Sequence, residues 1–165
     1  MLTDIVHILD QEVSLFQAAL ETELEKRDAI LSASGRKLQV LTAKTEILVK
    51  EIQKLEEKRT EIAQMFARLY GLKRSDLSGI ISMADEMKLN GRDELEKMAE
   101  TYREAAGLLQ SEVRENSVLL TKTGERLNRV VDSLKSLISG ESKTYGPKTK
   151  TNRKSSGSLI LNANA

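Results

Sequence analysis

The chain has no cysteine, no tryptophan, one proline, one histidine and only five aromatic residues among 165. Without cysteine there is no disulfide framework, thiolate zinc site, iron–sulfur cluster or cysteine nucleophile, and a reducing cytoplasm is the expected location. No apolar run reaches the roughly 18 residues that a membrane span needs, so membrane insertion is not expected. The opening stretch MLTDIVHILDQEV lacks the basic region of a secretory signal because Asp4 and Asp10 interrupt it. Five aromatics cannot fill a conventional globular core, so any core must be mainly aliphatic.

What the chain has instead is 39% hydrophobic and 31% charged residues, in proportions that favour long helices. Leu2, Ile5, Val6, Leu9, Val13, Phe16, Leu20 and Leu24 recur at steps of mostly three and four, which predicts an amphipathic first helix over about residues 3–31. Thr3 is its expected N-cap, with Asp4 in the first turn where the helix dipole favours negative charge. Ser32-Ala33-Ser34-Gly35 breaks the pattern, and Gly35 is the residue expected to adopt the left-handed conformation there. A second stripe, Leu41, Leu48, Ile52, Leu55, Ile62, Phe66 and Leu69, predicts a helix over about residues 37–69, with Thr45 and Arg59 filling polar gaps in the same seam. Opposite charges three or four apart, such as Glu46 with Lys50 and Glu51 with Lys54, mark its solvated face.

Tyr70-Gly71 stops that helix, Ser75 heads a short one ending near Leu89, and Asn90-Gly91 is a turn. From Asp93 a third long stripe runs through Leu95, Met98, Tyr102, Ala105, Leu109, Val113, Leu120, Leu127, Val130, Leu134 and Leu137, with polar Asn116 in the seam. A helix of about forty-five residues cannot rest on propensity alone and is expected to pack on both earlier helices. The predicted fold is all-α: an antiparallel bundle of three long helices with one short connecting helix and a flexible C-terminal tail. Two regions follow, a helical domain over residues 1–138 and a basic tail over 139–165. The tail carries Lys143, Lys148, Lys150, Arg153 and Lys154 against Glu141, a balance of +4 that leaves −3 on the body.

No phosphate-binding glycine loop, dinucleotide fingerprint, nucleophile elbow or zincin motif occurs. A di-iron carboxylate bundle wants two Glu-x-x-His pairs, and His7 is the sole histidine. His7 reads as a surface or half-buried residue before it reads as a ligand or base. Glu21, Glu23 and Glu25 read as helix solvation. Neither enzyme activity nor a metal or other cofactor is expected. The basic tail raises nucleic acid as a partner, but only Tyr145 interleaves its lysines and no recognition helix is evident, so no nucleic-acid partner is expected.

The second half of the third long helix is the informative part. Val118-Leu119-Leu120, Val130-Val131 and Leu137-Ile138 put apolar residues beside the seam as well as in it. Such surplus either docks an amphipathic helix of a partner or packs against the first two helices together. Periodicity leaves both open. A reading from a different class is a structural coiled-coil adaptor that self-associates through the same seam.

The order of parts resembles the FlgN family of flagellar export chaperones. The resemblance is carried by a long first helix, a second with Leu55-Glu56-Glu57-Lys58-Arg59, a short connecting helix, a third long helix with Glu115-Asn116-Ser117-Val118-Leu119-Leu120, and then Tyr145-Gly146-Pro147. It covers nearly the whole chain. The ending departs from the family in its length and in the apolar cluster Leu159-Ile160-Leu161. The resemblance implies a cytoplasmic chaperone of type III export that holds the amphipathic C-terminal helix of the hook–filament junction proteins FlgK and FlgL and delivers them to the export gate protein FlhA. It implies a client-binding face made by Leu119, Leu120, Leu127, Val130, Val131, Leu134 and Ile138, and a gate contact at Tyr145. A weak homodimer is the remaining partner expectation.

Overall fold

The computed structural model describes residues 1–138, with side chains through Ser136. Tyr145, the basic tail and Leu159-Ile160-Leu161 lie outside the described residues, as does the side chain of Ile138. Four helices follow in order: α1 (Leu2–Leu31), α2 (Gly35–Tyr70), α3 (Leu77–Glu86) and α4 (Arg92–Ile138). The all-α fold with three long helices and a short connector is as the apolar stripes predict. The chain divides into two units, Met1–Asn128 and Arg129–Ala165. The first holds the bundle; the described part of the second is the final stretch of α4.

Helix ends differ from expectation in three places. Thr3 does not cap α1: the helix starts at Leu2 with Met1 as N-cap and no side-chain hydrogen bond there, and the Met1 ammonium pairs with Asp4 at 3.0 Å. Gly35 does not take the left-handed conformation. Ala33 does, at φ 52°, while Gly35 begins α2. The Ser34 N–H donates to the Ala29 carbonyl at 2.9 Å, so the chain turns over within three residues and Gly35 is already helical. Asp76, not Ser75, caps α3, its Oδ1 accepting from the Gly79 N–H at 2.9 Å. The stop at Tyr70-Gly71 is as expected: Gly71 sits at φ 69°, and the Leu72 N–H donates to the Ala67 carbonyl at 2.8 Å.

The three-residue connection over 32–34 forces α2 to return antiparallel to α1. Contacts between α1 and α4 advance along both helices together: Phe16 meets Tyr102, and further along both the Glu23–Arg27 turn meets the Glu112–Asn116 turn. α4 is therefore parallel to α1. The main core gathers where all four helices meet, around Leu2, Ile5, Leu9, Phe66, Ile80, Ala84 and Leu95, with Phe66 and Tyr70 rings 4.5 Å apart. Burial of this aliphatic cluster, at about 25 cal/mol per Å² of apolar surface, is the main driving term for the bundle.

α4 is longer than its neighbours. Within the first unit it runs from Arg92 to Asn128, about 55 Å, against about 45 Å for the 30 residues of α1. The end of α1 at Leu31 lies beside Val118, Leu119 and Lys122. The turns that follow through Asn128 have no α1 beside them. The expectation that the whole third long helix packs on both earlier ones therefore fails beyond about Lys122, where α1 no longer accompanies it.

Candidate functional site

Two polar layers cross the bundle and set what its side chains can do. In the first, Glu12 has no exposed surface and receives Arg59 Nε on both oxygens, at 3.2 and 2.9 Å. Arg59 Nη2 also donates to the Tyr102 hydroxyl at 3.3 Å, and its guanidinium lies 5.2 Å from that ring's centroid. Burial pushes the Glu12 carboxyl above its ordinary value, and the charge and hydrogen bonds of Arg59 oppose that rise. Burial also raises the Tyr102 phenol. One residue from each long helix thus meets at this level.

The second layer corrects the reading of Glu23 as a solvated carboxylate. Glu23 is buried: Asn116 Nδ2 donates to its carbonyl at 2.7 Å and to its Oε2 at 3.0 Å, and Lys26 Nζ sits 2.6 Å from its Oε1. Glu21 and Glu25 are exposed as expected. Next to this layer Arg27 joins α1 to Glu112 at 2.9 Å and to Glu115. Neither layer pairs a nucleophile with a base, and His7 is exposed beside Gln11. Both layers hold helices in register.

Glu12 carried a sequence signal that the apolar stripe alone passes over. It sits between Leu9 and Phe16 at steps of three and four, in the buried seam, just as Arg59 does on α2. Opposite charges placed in facing seams pair when the helices pack.

The surplus apolar residues fall into place by position. Leu119 is half-buried against the end of α1, whereas Leu120 is 48% exposed and Leu127 55%. They stand one heptad apart and share a face. In the second unit Val130, Val131 and Leu134 are exposed. Val118, part of the same surplus, is exposed as well, and apolar exposure also occurs at Leu24, Leu31 and Leu108, which the stripe analysis does not single out as a surface. Among the described residues no group of acidic or histidine side chains is arranged to hold a metal ion, and no helix is long and apolar enough to cross a membrane.

Such a molecule is an all-α bundle protein whose two polar layers are structural and whose exposed apolar side chains lie on all three long helices. Residues 1–153 match the family described as FlgN protein, and the chain belongs to that family of flagellar export chaperones, which is not an enzyme family. No curated protein and no solved structure matches the chain.

Proposed function

We propose that the chain is a cytoplasmic chaperone of type III flagellar export that captures FlgK and FlgL by their amphipathic C-terminal helix and hands them to FlhA. Family membership supports the chaperone role, and the observation that carries the client site is the exposure of Leu120 and Leu127 on a helix that outruns its neighbour. A soluble protein keeps such residues exposed at a cost in solubility, and a partner helix laying its own apolar face on them removes that cost. Leu119, Leu120, Leu127, Val130, Val131, Leu134 and Ile138 are the proposed client contacts, and Tyr145 in the tail over 139–165 the proposed gate contact. No bond is made or broken; capture and release follow from reversible burial with a polar rim.

The test is capture of the C-terminal helix of a FlgK-type protein by the full chain. Leu127→Asp with Val131→Asp is expected to leave helicity unchanged, because both positions are exposed, and to abolish capture. Capture at wild-type affinity would overturn the face. Tyr145→Ala is expected to spare client binding and weaken docking to FlhA, and loss of both would assign Tyr145 a structural role.

A further inference from the structure

α1 and α4 run side by side and leave a groove that these two helices alone line. One stretch of it, 160 Å³, is bordered by Val13, Leu20, Glu104 and Leu108; another, 510 Å³, by Leu31, Arg114, Val118, Leu119 and Lys122. The two stretches lie on one track. On α1, Val13, Gln17, Leu20, Leu24, Arg27 and Leu31 succeed one another at steps of three and four, and on α4 so do Ala105, Leu108, Glu112, Glu115, Leu119 and Lys122. The track covers some eighteen residues of each helix, on the order of 27 Å. Three of its apolar members are exposed, Leu24, Leu31 at 67% and Leu108 at 61%, while Leu20, Ala105 and Leu119 are half-buried and Val13 is buried in the floor.

The charges along the track are not symmetric. Glu104 borders one end. Arg27, Arg114, Glu115 and Lys122 border the other; Arg27 is taken up by Glu112 and Glu115, whereas Arg114 and Lys122 are held in no ion pair among the described residues, so the excess there is positive. A helix presents partial positive charge at its N-terminus and partial negative charge at its C-terminus. Complementarity therefore orients a helix in this groove with its N-terminus at Glu104 and its C-terminus at Arg114 and Lys122.

We propose that the groove between α1 and α4 seats an amphipathic helix of another protein whose last turn is acidic, lying parallel to both and completing a four-helix cross-section. Acidic side chains in a last turn oppose that helix's own dipole, so such a helix gains selectively from Arg114 and Lys122. The occupant is not the chain's own tail: that segment carries Lys143, Lys148, Lys150, Arg153 and Lys154 against one acid, and Arg114 and Lys122 repel it. A nucleic acid has no apolar face to cover Leu20, Leu31, Leu108 and Val118. The groove shares only Leu119 with the proposed client face and is separable from it.

The experiment uses the full chain and two designed peptides of about twenty residues, each with leucines at helical three–four spacing. One ends in three glutamates; the other has the glutamates in its first turn and lysines in its last. Fluorescence anisotropy is expected to show the first binding about tenfold more tightly, and raised salt to narrow the difference. Leu31→Asp with Leu108→Asp abolishes binding while circular dichroism and the thermal midpoint stay unchanged, since both side chains face solvent. Arg114→Glu with Lys122→Glu reverses the preference between the peptides. Equal binding of the two peptides overturns the proposal, as does no measurable binding of either, or binding that survives the leucine substitutions. Binding lost in Leu127→Asp with Val131→Asp but kept in the groove variant also overturns it, and leaves the client face intact.

Discussion

At the scale of single residues, Glu12 and Arg59 decide most. The pair is enclosed, so removing one partner strands the other charge without water. Arg59→Met is expected to lower the unfolding free energy by about 3–5 kcal/mol in urea denaturation, while Glu12→Leu with Arg59→Met restores most of it. The pH dependence has a definite sign. Because burial raises the folded carboxyl above its unfolded value, the folded state binds more protons in the window between the two values. The contribution of Glu12 is thus full below the unfolded value and is lost as pH rises through the folded one. Relative to Glu12→Gln, which does not titrate, wild-type stability is expected to fall across that window, and a urea midpoint series checks it. Glu23 shows where reading the sequence stops. Read with Glu21 and Glu25 as helix solvation, it in fact points away from both, continuing the steps of three and four from Phe16 and Ala19, and Asn116, 93 residues later, makes it a buried acceptor.

Among elements, the lengths and order of the helices were legible because aliphatic stripes of period three to four run almost unbroken from Leu2 to Leu137. Their ends were less so. A glycine invites assignment to a left-handed position, yet in the turn after α1 the backbone path puts Ala33 there and Gly35 in the next helix. An alanine in that conformation costs about 1 kcal/mol over glycine. Ala33→Gly is therefore expected to raise the thermal midpoint by a few degrees in differential scanning calorimetry. For the candidate site, the width of the apolar stripe on α4 was visible in the sequence, but which part of it faces solvent was not. Exposure there follows from the mismatch in length between α1 and α4, a relation between two helices that neither stripe contains.

Across the whole bundle, packing is uneven. All four helices contribute to the cluster around Ile5, Phe66, Ile80 and Leu95, whereas the opposite end of α2 exposes Val40 and Ile47. Amide hydrogen exchange is expected to be slowest near Leu9 and Phe66 and progressively faster toward residues 35–50, and uniform protection along α2 would contradict the gradient. The polar layers add a mechanical property to this picture. On α1 they stand eleven residues apart, roughly 16 Å; the first reaches α4 through Arg59 of α2, the second joins α1 to α4 directly. Sliding α4 by a single turn, about 5.4 Å, would withdraw Asn116 from Glu23 and Tyr102 from Arg59 together. The bundle is keyed at two points, so a one-turn shear of α4 against the other helices costs both layers at once instead of one after the other.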